Sequence, residues 1–138
     1  MAVQETHAAP PETIPEEQVA DYAHELVSSR RVEGTAVYSP SGEKLGTIHS
    51  VMIGKRSGQV AYAVLSAGGW LGIGAHVHPL PWQLLTYDVD RDGYVVAVDR
   101  DQLGRAPSMA LDETDRPIDR DYQERVASYW GTMPWWGL

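Results

Sequence analysis

Residues 58–82 read GQVAYAVLSAGGWLGIGAHVHPLPW, and this stretch decides the fold of the 138-residue chain. From Val60 to Leu65 both alternating faces are apolar, which predicts a strand buried on both sides within a small barrel. The glycines at positions 68, 69, 72 and 74 then predict a joint, because glycine permits bulges and close backbone approach. Pro79 and Pro81 lack N–H donors, so the strand that contains them is expected at a sheet edge or a bend.

Short β-prone segments separated by turn residues flank this stretch. Strands are predicted over residues 35–38, 44–53, 59–65, 75–80, 84–87 and 94–98. About six mostly antiparallel strands within roughly 70 residues are typical of a small all-β barrel.

The two ends of the chain differ from this central part. Residues 1–30 are predicted to be a disordered leader with a short amphipathic helix at 16–26, residues 31–107 the barrel, and residues 108–138 a helix and an aromatic tail. A cap at Thr114 or Asp115, with Pro117 in the first turn, is expected to start the C-terminal helix, and Gly131 to end it. Its apolar stripe contains Ile118, Tyr122, Val126, Tyr129 and Trp130.

Charge and composition exclude several classes of function. The chain has 11 Lys and Arg against 19 Asp and Glu, a formal charge of −8, and no cysteine. Such acidity disfavours nucleic acid and anionic membranes as partners, so the cation pairs Arg30–Arg31 and Lys55–Arg56 are interpreted as solvated turn charges. The absence of cysteine excludes disulfides, thiolate zinc sites and Cys nucleophiles. With neither a signal-peptide pattern nor an apolar membrane span, we expect a cytoplasmic protein.

Four motifs, in this order and spacing, resemble the PRC-barrel family over about residues 31–107. They are Gly42–Ile48, Gly58–Leu65, Gly68–Gly74 and Pro79–Trp82. The resemblance implies a small all-β barrel that acts as an adaptor for proteins, like many stand-alone bacterial members, with no cofactor and no catalytic site common to the family. The resemblance extends neither to the transmembrane helix of the photosynthetic reaction-centre H subunit nor to the RNA-associated domain that precedes the barrel in the ribosome maturation factor, which weakens the expectation of either specific function.

An acidic segment matches part of a calcium-binding pattern. Asp88, Asp90, Asp92 and Asp99 have the spacing of an EF-hand loop, in which the last position supplies a bidentate carboxylate. An EF-hand needs flanking helices, whereas strands are predicted on both sides here. An ordinary hairpin turn at Asp92-Gly93 is therefore favoured, and a calcium- or small-ligand-binding protein is a second alternative function.

Histidines and serines offer only weak candidates for chemistry. His76 and His78 are two residues apart, so both project from one strand face and could share a transition metal, with His49 from a neighbouring strand. A hydrogen bond from the His next to Pro79 to a backbone carbonyl is favoured over a metal site. Ser50 and Ser66 lie in strand patterns without a nucleophile elbow, so no catalytic residue is assigned and the protein is expected not to be an enzyme.

The aromatic residues near the C-terminus are the strongest functional candidates. Tyr129, Trp130, Trp135 and Trp136 must be buried, either on the chain's own barrel, across a homodimer or on another protein. Trp70 and Leu71 at the glycine joint complete the predicted contact surface. The expected function is a non-enzymatic protein-interaction module that forms a homodimer and binds an unidentified protein, and the first alternative is an accessory factor in ribosome or RNA maturation by family analogy.

Overall fold

The computed structural model of the protein describes residues 25–67 and 76–137. The glycine joint lies outside these ranges, and so does the helix predicted at 16–26 apart from its last two residues.

The elements of the described ranges are three helices and seven strands. In chain order they are α1 (Ser29–Val32), β1 (Ala36–Tyr38), β2 (Lys44–Ile53), β3 (Val60–Ala67), β4 (His76–Pro81), β5 (Leu85–Asp88), β6 (Gly93–Val96), α2 (Arg100–Arg105), β7 (Met109–Ala110) and α3 (Arg120–Trp130). Single 3-10 turns occupy Trp82–Leu84, Leu111–Glu113 and Trp135–Gly137. All six predicted strands are confirmed, β2 with the predicted bounds and the other five with small shifts of their ends, whereas β7 and α2 were not predicted.

The strands form one sheet in the order β5-β6-β1-β2-β3-β4-β7. Every neighbouring pair is antiparallel except β1 with β6, which are parallel. One face surrounds a common core that includes Val37, Leu45, Ile48, Leu65, Leu80 and Val96. The all-β fold is therefore confirmed, although no strand pair in the described ranges joins β5 to β7 and the sheet is not closed. Strand β7 pairs with only the first two residues of β4, His76 and Val77. The two prolines of β4, which lack N–H donors, come after this paired part.

Strand β3 lies between β2 and β4 and is buried along almost its whole length. Ala63 and Leu65 belong to the main core, while Tyr62 and Val64 pack in separate apolar clusters with residues of the C-terminal segment. Gly46 of β2 lies so close to β3 that a Cβ there would be 2.1 Å from the carbonyl oxygen of Ser66. The close approach of these two strands therefore requires glycine at position 46.

The C-terminal helix packs on the outer face of the sheet, as predicted, but its start was predicted wrongly. It begins at Arg120, since Asp119 is its N-cap and accepts a hydrogen bond from the Tyr122 amide at 2.8 Å. Pro117 therefore precedes the helix, whose first turn was predicted to contain it. The predicted end is confirmed, because Gly131 has the left-handed conformation (φ 67°) that stops the helix.

Candidate functional site

A cleft of about 810 Å³ opens on the outer face of the sheet, between the turn that follows β2, the linker that precedes α3 and the C-terminal tail. We call it the tail cleft. It is lined by residues 52–57, 59, 61–62, 114–118, 120, 123 and 135–136. Segments far apart in sequence thus meet at one surface.

Trp135 seats the tail on its own barrel. Its indole Nε1 donates a hydrogen bond to Oε1 of Gln123 at 2.7 Å, and its ring packs against the cluster of Tyr62 and Val126. Gly54 lies against the edge of this ring, because a Cβ at position 54 would be 3.0 Å from Cζ3 of Trp135. The indole therefore occupies space that a larger residue at position 54 would restrict.

Trp136 forms a second contact between the tail and α3. The guanidinium carbon of Arg120 lies 3.8 Å from the centroid of the Trp136 ring, and the rings of Trp135 and Trp136 meet edge to face at 6.0 Å. A cation held over an aromatic face is attracted by the ring quadrupole. The stack therefore favours one position of the Arg120 guanidinium at the cleft wall.

The charge lining the tail cleft is opposite in sign to that of the whole protein. Its cations are Lys55, Arg56, Arg116 and Arg120, and its one carboxylate is Asp115. The two ion pairs of the described ranges, Arg91–Asp88 and Arg100–Glu43, include none of these cations. Four of the 11 basic residues of a chain with charge −8 thus line one cleft without an ionic partner in the described ranges.

Two tyrosines with buried hydroxyls lie where the sheet meets the C-terminal segment. The hydroxyls of Tyr62, on the cleft lining, and Tyr122, on α3, have no hydrogen-bond partner in the described ranges. Burial raises the pKa of both phenols to about 12, and the charge of Arg120 acts against this shift at Tyr62. Both phenols are therefore neutral at physiological pH, and within residues 25–67 and 76–137 neither hydroxyl has a hydrogen bond that compensates for its loss of water.

The predicted aromatic contact surface is divided by the structure. Trp135 and Trp136 line the tail cleft, whereas Trp130 is half-buried and packs against two apolar clusters of the sheet. Tyr129 is 40% exposed, and its hydroxyl donates to the carbonyl oxygen of Gln102. The other two predicted contact residues, Trp70 and Leu71, lie outside the described ranges.

The histidines proposed as metal ligands occupy different environments. His76 is exposed, whereas His78 is buried with Nδ1 at 3.2 Å from the carbonyl oxygen of Pro107. Burial lowers the pKa of His78, and the contact with Pro107 partly opposes this. His49 lies on β2, which β3 separates from β4. The structure therefore gives His78 the backbone contact that was favoured from the sequence.

The acidic segment forms the β5–β6 hairpin turn, in which Asp88 pairs with Gly93. Asp88 accepts from the amides of Asp90 and Arg91. Asp92 accepts from the hydroxyl of Tyr87. In the part of the chain that the structure describes, no group of three or more His, Cys, Asp or Glu is placed to hold a metal ion.

Asp99, the predicted last calcium ligand, instead caps α2. Its carboxylate accepts from the amide of Gln102 at 2.8 Å, and the side-chain oxygen of Gln102 accepts from the Asp99 amide at 2.9 Å. This reciprocal capping box is visible in the sequence as an Asp followed three residues later by Gln, a helix-start signal that we missed.

The cationic lining of the tail cleft was also missed. Lys55 and Arg56 were interpreted as solvated turn charges, because their sequence neighbours give no sign of Arg116 and Arg120. Only the packing of α3 on the sheet brings the two pairs to one cleft.

Comparison with protein families finds a match between residues 24–103 and the family model described as PRC-barrel domain. No curated protein matches the chain. The matched residues include β1 to β6, whereas α3 and the tail follow them. The tail cleft is thus built partly from the matched domain and partly from the segment after it. None of the helices in the described ranges has the length and apolarity needed to cross a membrane.

Proposed function

The chain belongs to the PRC-barrel domain family, and from that membership we propose that it is a non-enzymatic protein-interaction module with the tail cleft as its contact surface. The PRC-barrel domain is a small β-barrel module. The proposal adds to this a specific surface, built where the C-terminal segment crosses the sheet.

One observation carries the proposal: aromatic and cationic side chains converge on a single exposed cleft. Trp, Tyr and Arg are the residues most enriched where protein interfaces gain their binding energy. The tail cleft contains Trp135 and Trp136 beside Arg56, Arg116 and Arg120. A protein partner would cover the half-buried indoles and give the cations an anionic group to pair with.

The environments of the residues considered as metal ligands support a role without metal chemistry. His78 contacts the carbonyl of Pro107, Asp88 accepts two amides of its own turn, and Asp99 caps α2. Each of these groups has a partner that stabilises local structure, and none of them lines the tail cleft.

Self-association is part of the proposal. Ile53 lines the tail cleft, Met133 lines a small second pocket that Trp135 also lines, and their side chains are 51% and 57% exposed. A second copy of the chain that packs on this part of the surface would cover both side chains. Light scattering over a wide concentration range tests this. A mass that doubles in the wild type but not in an Ile53→Ser, Met133→Ser variant supports the homodimer, and a monomer throughout contradicts it.

Affinity capture from native cells tests the contact surface. The full chain, a Trp136→Ala variant and a Val89→Ala control serve as baits, since Val89 is exposed on the β5–β6 hairpin away from the cleft. We expect one protein that is retained by the wild type and the control and lost with Trp136→Ala. Its purified form must then bind the wild type directly. Equal retention by all three baits would exclude the tail cleft as the contact surface.

A further inference from the structure

We infer that the tail cleft binds a short acidic peptide segment that carries an aromatic or large apolar side chain. This inference rests on the proposed function and names the chemistry of the partner. It is argued from the charge, the floor and the preorganisation of the cleft.

The cations of the tail cleft lie on two sides of it. Lys55 and Arg56 belong to the turn after β2, whereas Arg116 precedes α3 and Arg120 is its first residue. None of the four has an ionic partner in the described ranges. Carboxylates spaced along a peptide could pair with both sides at once, and Arg can bind a carboxylate through two parallel hydrogen bonds.

The cleft lining also has an apolar part, which we call its floor. Met52, Ala61 and Ile118 line it together with the half-buried ring of Trp135. An inorganic anion would satisfy the cations but would leave this floor in water. A cleft of about 810 Å³ is large enough for several side chains. An aromatic side chain between acidic residues matches both the floor and the walls.

The charge of the whole protein argues for a short segment over a polyanion. The chain has a formal charge of −8. Its acidic surface would therefore repel the phosphates of a nucleic acid that extend outside the cleft. A peptide with a few carboxylates keeps its charge within reach of the four cations.

The Arg120 guanidinium has a contact that restricts it without a partner. Its position 3.8 Å over the Trp136 ring reduces the conformational freedom that it would lose on binding. Trp135 is fixed in turn by its hydrogen bond to Gln123. Both features lower the entropic cost of filling the cleft.

Fluorescence anisotropy with labelled pentapeptides tests the inference on the full chain. The probe is Asp-Glu-Trp-Asp-Glu. One control peptide replaces the acids by their amides, Asn-Gln-Trp-Asn-Gln, and the other replaces the aromatic residue, Asp-Glu-Ser-Asp-Glu. We expect the probe to bind at least about tenfold more tightly than either control, because each control loses one of the two recognition elements.

Charge variants locate the binding site. Lys55→Gln with Arg116→Gln removes one cation from each side of the cleft, and we expect about threefold to tenfold weaker binding. The matched control is Arg30→Gln with Arg31→Gln, which removes two exposed cations of α1 that do not line the cleft. Thermal unfolding checks that both variants are folded. Added salt should weaken binding of the probe, since screening acts on the local attraction.

Three results would overturn the inference: equal affinity for all three peptides, equal weakening by the control variant, or tighter binding of inorganic phosphate or single-stranded DNA than of the probe. The proposed function can fail separately. If the peptide does not bind but Trp136→Ala still abolishes capture of a protein partner, the module uses the cleft for a partner of different chemistry. If Trp136→Ala leaves capture unchanged, the proposed contact surface is itself wrong.

Discussion

The guanidinium carbon of Arg120 lies 3.8 Å from the centroid of the Trp136 ring, so the first residue of α3 holds the end of the tail that follows the same helix. Trp135 makes the second connection through its hydrogen bond to Gln123, one turn further along α3. The tail therefore folds back along the helix that it leaves. This return places two indoles beside the turn after β2 and creates the tail cleft.

Removing the Trp135 side chain should loosen the tail. We expect Trp135→Ala to lower the free energy of unfolding by about 2–3 kcal/mol, below the usual cost for a fully buried Trp because the side chain is half-buried. Trp136→Ala is the comparison and should cost about 1 kcal/mol, since Trp136 is outside the apolar clusters and loses mainly its ring contacts with Arg120 and Trp135. Chemical denaturation measures both. Equal costs for the two variants would contradict the assignment of Trp135 as the anchor.

Gly46 should tolerate no side chain. We expect Gly46→Ala to lower the free energy of unfolding by about 3 kcal/mol, because its Cβ would be 2.1 Å from the Ser66 carbonyl oxygen and would force β2 and β3 apart. Gly104→Ala in α2 is the matched control, since a Cβ there meets nothing within 4 Å. It should raise stability by about 0.5–1 kcal/mol through helix propensity. A neutral Gly46→Ala variant would mean that the strands are further apart.

The hydroxyl of Tyr62 should contribute nothing favourable to folding. We expect Tyr62→Phe to raise the free energy of unfolding by up to about 1 kcal/mol, because the hydroxyl is buried without a partner in the described ranges. Tyr129→Phe should instead cost about 0.5–1 kcal/mol, since the Tyr129 hydroxyl donates to the Gln102 carbonyl. Urea denaturation compares the two. A loss of stability in Tyr62→Phe would show that its hydroxyl is hydrogen-bonded.

His78 should make folding sensitive to acid. Burial holds its folded-state pKa below the ordinary value of about 6.5, so the unfolded chain takes up the proton first as the pH falls. The contribution of neutral His78 is therefore present above about pH 6.5 and is lost as the pH drops towards the folded-state pKa.

The variant His78→Asn isolates this effect, because its amide nitrogen can replace Nδ1 as donor to Pro107 without titrating. We expect the stability of the wild type to fall more steeply than that of the variant between about pH 7 and about pH 5. Parallel pH profiles would show that His78 titrates alike in the folded and unfolded states.

The strands were predictable because their signals are local. Residues Lys44–Ile53 were predicted as a strand with the same bounds as β2, since turn residues mark both ends. Burial of both faces of β3 followed from its apolar alternation. Strand β7 has two residues, which is too short for any period to be visible.

The tail cleft was not predictable, because it depends on which of several possible N-cap residues starts α3, and tertiary packing decides this. Thr114, Asp115 and Asp119 are all acceptable helix caps, and only Asp119 is used, where Ile118 and Tyr122 can pack on the cluster around Val64. That choice sets the direction of α3 and hence where Arg120 faces. No pattern within either segment connects Arg120 with Lys55.

Seating of the tail on its own chain is the central claim, and isotope-filtered NOE spectroscopy tests it most directly. A sample of labelled chain mixed with unlabelled chain separates contacts within one chain from contacts between two. We predict NOEs between the Trp135 ring protons and the Gly54 α-protons within the labelled chain, at every protein concentration, because the ring edge lies against position 54. If these NOEs are absent, or appear only between labelled and unlabelled chains, the tail is not seated as described and the tail cleft is not a feature of the single chain.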